Sequence, residues 1–406
     1  MKYPRRSRLP FITAVVVLVA CENPNSPQTT PAAPPPPAFD VVAGSSESEP
    51  VPGRYIVVFR DDVEDAPGLA RRLAAQHGAS PRFTYTTALK GFAVDLPEQA
   101  ASALARNPNV AYVEQDQVMR AVGTQTDATW GIDRIDQRAL PLSGTYDYTR
   151  TGAGVTAYII DTGIRFAHGE FGGRAVSGYD AVDGGPADDC NGHGTHVAGT
   201  VGGTTYGVAK GVKLVAVRVL NCSGSGSTSG VIAGIDWVTD NHHTVGAPAV
   251  ANMSLGGGAS TALDDAVRKS IAGGVSYAIA AGNGNFIGIA QDACKSSPAR
   301  VSEAMTIGAT DKTDKKASWS NYGTCVDWFA PGVGITSSWY TSDNATNTIS
   351  GTSMATPHVA GVAALYLQDN PGASPLEVRG ALYASTTKGI VANSRTNNNH
   401  LLFSSY

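Results

Sequence analysis

Three short segments of this 406-residue chain carry side chains that together can turn an alcohol into a nucleophile: Asp161-Thr162-Gly163, His193-Gly194-Thr195-His196 and Gly351-Thr352-Ser353-Met354-Ala355. A serine hydroxyl is nearly inert at neutral pH. It attacks a carbonyl only when an imidazole takes its proton and a carboxylate holds that imidazole in the useful tautomer. Ser353 is the candidate nucleophile, His193 the candidate general base and Asp161 the carboxylate behind it. Each motif alone has an ordinary explanation: serine caps helices, and aspartate before glycine forms turns. Their joint occurrence, in this order, points to acyl transfer through a covalent serine intermediate.

Other histidines do not extend this chemistry. His196 lies three residues after His193, whereas the zinc-protease helix needs a four-residue spacing with a glutamate between. His196 and His358 are therefore expected to be packed, hydrogen-bonded core residues. Acid before base before nucleophile is the subtilisin order, and Gly351-Thr352-Ser353-Met354-Ala355 is not the G-x-S-x-G elbow of α/β-hydrolases. With Trp130-Gly131-Ile132-Asp133, Asn252-Met253-Ser254-Leu255-Gly256-Gly257-Gly258 and Ala280-Ala281-Gly282-Asn283, these motifs resemble the subtilisin-like serine proteases, most closely the secreted branch containing proteinase K and aqualysin. The resemblance covers most of the last 280 or so residues.

That resemblance implies further roles. Asn283 corresponds to the family's side-chain oxyanion donor, paired with the Ser353 N–H. Gly224, Ser225 and Gly226, with Ser254, Leu255 and Gly256, would act as edge segments pairing with an extended peptide. Ser254 to Gly257 (Ser254, Leu255, Gly256, Gly257) and Ala280, Ala281 and Gly282 would line a neutral pocket for the residue before the scissile bond. No carboxylate is evident there, so broad cleavage after apolar or aromatic residues is expected. Calcium is the implied cofactor, structural in role, held by the Asp327 carboxylate with the Ser302 and Ala304 carbonyls, and at a second site by Asp133, Asp136 and Gln137; such all-oxygen sets suit a hard cation.

Composition bounds the rest. A net charge of −4 provides no sustained field for nucleic acid, and 42% apolar residues with 46 glycines suit a turn-rich globular chain. The first 21 residues join a basic start (Lys2, Arg5, Arg6, Arg8) to a short apolar run, the pattern of an export signal. Leu18-Val19-Ala20-Cys21 also resembles a lipobox, which makes Cys21 a candidate lipidation site. Four cysteines remain, Cys190, Cys222, Cys294 and Cys325, and three pairings are open. The aqualysin resemblance implies Cys190–Cys222 and Cys294–Cys325, each worth roughly 3 kcal/mol.

Positioning the candidate residues requires a folded frame, and the pattern supplies one. Residues 22–52 are Pro-rich and cannot bury a core, so they read as an extended tether. Residues 53–122 show strand, helix, two strands, helix and strand (55–59, 69–77, 82–86, 91–96, 97–106, 110–114), the order of a small ferredoxin-like α+β unit. It is similar to the subtilisin propeptide, which implies an intramolecular chaperone and inhibitor. From 123 to 406, apolar strands at 155–160, 214–220, 249–253, 276–281 and 305–309 alternate with helices at 193–201, 228–241, 261–272 and 353–367. Such alternation implies an α/β fold, three layers with a mostly parallel sheet, whose ligand site lies beyond the carboxyl ends of the strands. The resulting expectation is an exported, monomeric serine endopeptidase that removes its own propeptide near Val122-Gly123. A catalytically dead surface protein and an esterolytic enzyme on the same triad are the rival classes.

Overall fold

The computed structural model describes residues 50–117, 123–285 and 287–406. The expected export signal with Cys21, the linker up to residue 49 and the junction at 118–122 lie outside the described residues. The chain divides into two compact units between Val118 and Met119.

In the first unit, β1 (Pro50–Phe59), α1 (Ala66–Gln76), β2 (Phe83–Tyr85), β3 (Gly91–Asp95), α2 (Glu98–Ala105) and β4 (Val110–Gln117) follow the expected order. The antiparallel sheet runs β2-β3-β1-β4, the ferredoxin-like arrangement. Strand β1 begins inside the stretch expected to be linker, because Pro50 pairs with Gln117 beyond an irregularity in the ladder. Tyr55, Val57 and Phe59 alternate onto the covered face and meet Leu69, Leu73 and Leu104 of the two helices. Asp65 starts α1 by accepting the Gly68 N–H at 2.8 Å.

The second unit opens with β5 (Gly123–Thr126), α3 (Trp130–Ile135), β6 (Thr145–Tyr148), β7 (Thr156–Asp161), β8 (Ala175–Asp180), α4 (His193–Gly202), β9 (Lys213–Arg218), α5 (Thr228–Val245) and β10 (Ala249–Met253). It continues with β11 (Gly257–Gly258), α6 (Thr261–Ala272), β12 (Ser276–Ala280), β13 (Ser296–Ser297), β14 (Met305–Thr310), β15 (Trp328–Pro331), β16 (Ile335–Ser338), β17 (Thr346–Ile349), α7 (Thr352–Asp369) and α8 (Pro375–Ser385). Seven parallel strands form the sheet in the order β15-β14-β12-β10-β7-β9-β8. Burial on both faces explains its continuous apolar strands. Along β7, Ala157 and Ile159 face a core shared with α4 and α7, while Tyr158 and Ile160 face one shared with α5 and α6. The cysteines pair as Cys190–Cys222 and Cys294–Cys325, closing separations of 32 and 31 residues.

His196 and His358 are core residues, at 0% and 1% exposure. His196 Nε2 donates to the Ile335 carbonyl at 3.0 Å, and His358 Nδ1 to the Met354 carbonyl at 2.9 Å. Burial pushes both imidazoles down to about 4. The unfolded chain protonates them near 6.5, so it binds more protons than the folded one between that pH and about 4. Their contribution to stability is complete above about 6.5 and is lost as the pH falls through this window. The melting temperature of a Ser353→Ala protein, which cannot digest itself, should drop by roughly 5–15 °C between pH 7 and 4.5. His358→Asn, whose amide can still reach the Met354 carbonyl, should flatten that slope. An unchanged slope would show that carboxylates alone set it.

Candidate active site

Strand β7 ends on Asp161 and helix α4 begins on His193, both at the carboxyl edge of the sheet. Their backbones approach closely: a Cβ at Gly194 would sit 2.2 Å from the Gly163 carbonyl oxygen, so only glycine fits there. His193 Nδ1 lies 2.8 Å from Asp161 Oδ1 and 3.0 Å from Oδ2. An ionised carboxylate can only accept, so Nδ1 carries the proton and Nε2 is left with its lone pair. Burial works against protonation of the ring, but the Asp161 charge, its hydrogen bond and the more distant Asp189 outweigh it and hold the His193 pKa above the ordinary imidazole value.

Asp189 had no place in the sequence reading. It accepts Thr162 Oγ1 (2.9 Å) and the Asn191 and Gly192 N–H groups (both 2.9 Å) on Oδ1, and Thr195 N (2.9 Å) and Oγ1 (2.6 Å) on Oδ2. It thus ties the start of α4 to the turn after Asp161. A carboxylate four residues before a helix-opening histidine was the available signal, since acids favour helix N-termini.

Ser353 occupies the second position of α7. Pro357 follows four residues later and has no N–H, so the Ser353 carbonyl is released from the helical ladder. Ser254 takes it: Ser254 Oγ donates to that carbonyl at 2.8 Å, while Ser353 Oγ donates to the Ser254 carbonyl at 3.1 Å. Ser254 Oγ in turn accepts the Asn252 amide at 2.9 Å. Ser254 and His193 border the same cleft, which places nucleophile and base at one site. Ser353 Oγ gives its hydrogen bond to the Ser254 carbonyl here, so its bond to the His193 imidazole has still to form, as catalytic hydrogen bonds often do only when substrate binds.

Asn283 Oδ1 accepts both the N–H and the Oγ1–H of Thr352, each at 2.8 Å. With its oxygen committed, the amide nitrogen is the free end. A Cβ at Gly351 would lie 3.5 Å from Asn283 Nδ2 and 3.5 Å from the Ser353 nitrogen. Two donors therefore flank a space that glycine keeps open, beside an unladdered helix N–H.

The adjoining cleft has a volume of about 550 Å³. Gly224, Ser225, Gly226 and Ser254 to Gly258 border it, with Leu220, Val231, Leu255 and Leu263 as apolar wall and, among the described residues, His193 as the one side chain there able to carry charge. One expectation is narrowed and one corrected. Ser225 has both main-chain groups engaged by Asn221 (Asn221 N to Ser225 O, 2.8 Å; Ser225 N to Asn221 Oδ1, 3.2 Å), and Gly224 N donates to Asn221 O, so these groups serve a local turn. Ala280, Ala281 and Gly282 do not border the cleft: Ala280 and Ala281 are 5% and 0% exposed, and Ala281 packs with Val326 and Phe329.

Among the described residues, no group of three or more His, Cys, Asp or Glu side chains is arranged to hold a metal ion. The two oxygen sets differ. Arg379 occupies the first: its guanidinium donates to Asp327 Oδ1 and, at 3.2 Å, to the Ala304 carbonyl, while Asp327 Oδ2 accepts Thr306 N and the Ser302 hydroxyl turns to Glu303. A side-chain cation already meets the Asp327 and Ala304 oxygens, so the set does not fit calcium. The second set, two carboxylates and an amide, keeps one oxygen open to a cation. Asp136 Oδ1 is buried without a partner, and burial, with Asp133 and Asp147 nearby, pushes this carboxyl up to about 6. Asp133 Oδ1 and Oδ2 and Gln137 Oε1 are held by the N–H groups of Ser143 and Gly144.

A buried carboxylate, an imidazole and a helix-borne serine at the edge of a parallel sheet define a serine hydrolase. Comparison with known proteins makes this specific. The Subtilase family model matches residues 152–403, and the peptidase inhibitor I9 model matches residues 54–121. The chain belongs to the subtilase family, and is a serine proteinase with an I9-type propeptide. An extracellular serine proteinase of Thermus sp. (strain Rt41A) is 53% identical over 424 aligned positions, covering 99% of this chain and all of its own length. An alkaline serine exoprotease A of Vibrio alginolyticus is 51% identical, covering 86% of this chain and 67% of its own. A cold adapted subtilisin-like serine proteinase of solved structure superposes with a TM-score of 0.65 at 58% identity, covering 69% of this chain and 99% of its own.

Because the Asp161 charge raises the His193 pKa, the acid limb of kcat/KM should lie above that of a free imidazole. Asp161→Asn removes the charge, so the limb should move to lower pH while kcat falls by about 10³–10⁴-fold. A pH–rate profile of the variant measures both effects, and a limb that stays in place would show that Asp161 does not set the titration.

Proposed function

We propose that this chain is an exported serine endopeptidase that cleaves polypeptides after apolar or aromatic residues and matures by removing its own propeptide. The observation carrying the reading is the pair of donors, Asn283 Nδ2 and Ser353 N, around the space beside Gly351, next to a hydrogen-bonded Asp161–His193 pair. Ser353 Oγ attacks the scissile carbonyl carbon as its proton passes to His193 Nε2, and the carbonyl electron pair moves to an oxygen held by those two donors. Collapse expels the amine, which takes the proton from His193 and leaves an acyl group on Ser353. Water, deprotonated by the same imidazole, then releases the acid. Leu220, Val231, Leu255 and Leu263, with no carboxylate among the described residues lining the cleft, support the apolar preference. The export signal in the sequence and the extracellular Thermus relative support secretion. A lipid on Cys21 would tether only the precursor, since cleavage near Val122-Gly123 separates it from the catalytic unit.

Ser353→Ala should abolish peptide hydrolysis and persist as a full-length precursor, while the parent protein yields a chain beginning near Gly123, read by mass spectrometry of the exported protein. A processed Ser353→Ala protein, made without other proteases, would refute self-maturation. Asn283→Leu should lower kcat by about 10²–10³-fold with KM changed only a few-fold, because the oxyanion forms only in the transition state. A rise in KM alone would mean that Asn283 binds substrate instead.

Calcium acts as a structural cofactor at Asp133, Asp136 and Gln137, where it would satisfy the unpartnered Asp136 oxygen and take no part in acyl transfer. Chelation should lower the melting temperature of the inhibitor-blocked enzyme by several degrees before it alters initial rates. Asp136→Asn should abolish that calcium-dependent increment, and Asp327→Asn should not. A calcium-dependent increment lost in Asp327→Asn but kept in Asp136→Asn would place the ion at the other set.

A further inference from the structure

The segment that carries Asn283 has little means of holding its own shape. Gly282 and Gly284 both adopt left-handed backbone angles, at φ +98° and +84°, and no helix or strand includes residues 281–284. Thr352 fixes the Asn283 side-chain oxygen, which orients the amide only if the backbone beneath it is fixed as well. Thr352 Oγ1 accepts the Gly282 N–H at 3.1 Å, and a residue from a different loop holds the rest. Asn321, 3% exposed, donates Nδ2 to the Ala281 carbonyl (2.8 Å) and its own N–H to the Gly282 carbonyl (2.9 Å), and accepts the Gly284 N–H (3.0 Å) and the Gln291 N–H (2.8 Å) on Oδ1. Three of these four bonds fall within two residues of Asn283, on both sides of it. A Cβ at Gly282 would lie 2.5 Å from Asn321 Nδ2, so the contact is as close as a glycine backbone permits.

Asn321 is itself well anchored. Ser320 Oγ accepts the Ala309 N–H from the end of β14 (3.0 Å), and the buried Lys316 ammonium donates to the Ala317 and Ser320 carbonyls, both at 2.8 Å. The turn bearing Asn321 is thereby fastened to the sheet, and the Asn283 segment is fastened to that turn.

We infer that Asn321 is a positioning residue for the oxyanion donor: it sets the backbone of residues 281–284 so that Asn283 Nδ2 meets the developing oxyanion, and it does so without touching substrate. The inference rests on the oxyanion reading of Asn283 given above. A donor displaced by about 1 Å forfeits much of its transition-state stabilisation while ground-state binding, made by other segments, is preserved.

The test is a double-mutant cycle on the mature enzyme with a peptide p-nitroanilide and a peptide aldehyde, whose serine adduct is tetrahedral. Asn321→Ala should lower kcat by about 10–100-fold with KM changed less than about threefold, and weaken aldehyde binding by a similar factor. In an Asn283→Leu background the same substitution should cost less than about threefold, since the donor it positions is gone. Asn321→Asp keeps the acceptor for Gly284 and Gln291 but cannot donate to Ala281; it should show the same non-additivity and serves where Asn321→Ala does not fold. Melting of the inhibitor-blocked proteins separates global destabilisation from the kcat effect. An equal loss from the Asn321 substitution in the parent and in Asn283→Leu, or an unchanged kcat, would overturn the positioning role. Asn283→Leu leaving kcat intact would overturn the oxyanion reading itself, and the inference with it.

Discussion

The Asp161–His193 hydrogen bond constrains the geometry of everything around it. For a buried carboxylate at the end of a central strand to meet the first residue of a helix, that helix must start almost on top of the strand's terminal turn. This explains the composition of two motifs at once: glycine at 194 permits the approach, Thr162 accepts the Gly194 N–H at 2.9 Å, and Asp189 gathers the helix's first N–H groups. The same buried carboxylate forces the imidazole into one tautomer, so chemistry and packing are satisfied by a single contact.

Helix α7 supplies the other half of the site through its irregularities. Its first N–H groups have no ladder partners, and two of them differ: Thr352 N holds the Asn283 oxygen, and Ser353 N is left for the proposed oxyanion. Pro357 removes one further ladder bond, and the freed Ser353 carbonyl is where Ser254 attaches the wall of the cleft to the nucleophile's own backbone. A proline inside a helix costs stability as a rule; here the released acceptor has a specific partner, so the cost is offset where the site needs rigidity.

Much of this was legible in the sequence. The alternation of apolar strands and helices, including β10 and α6 to the residue, follows from burial on both faces, which writes itself as continuous Val, Ile and Ala runs. Elements that escaped are those without that signature. Strand β8 lies at the sheet edge with Val176 exposed, and β15 is a four-residue strand ending in proline. Helix α8 was readable and overlooked, since Ser374 with Glu377 forms a capping box and Pro375 takes the first position. In the site, motif order identified the triad side chains, but not the supports. Asp189 and Asn321 act through main-chain groups brought together by the fold, and a sequence carries no period for such contacts. The resemblance led to Ala280, Ala281 and Gly282 being expected along the pocket, whereas the Ala281 and Gly282 carbonyls face inward to Asn321.

The two oxygen-rich sets show how similar ligand types reach different ends. At Asp327 the chain brings its own cation, and because Arg379 lies on α8, the pair fastens the C-terminal helix to the edge of the sheet where β15 begins. The fastening is intramolecular and needs no free ion. A planar guanidinium meets a carboxylate and a carbonyl with separate N–H groups, which a small spherical cation would do only by gathering more oxygens around itself. At Asp136 no ion pair forms among the described residues, the Asp133 and Asp147 carboxylates lie nearby, and one buried oxygen has no donor. The stability of the first corner should thus follow arginine chemistry and ionic strength, and that of the second the supply of a divalent ion, although both began as the same kind of sequence signal.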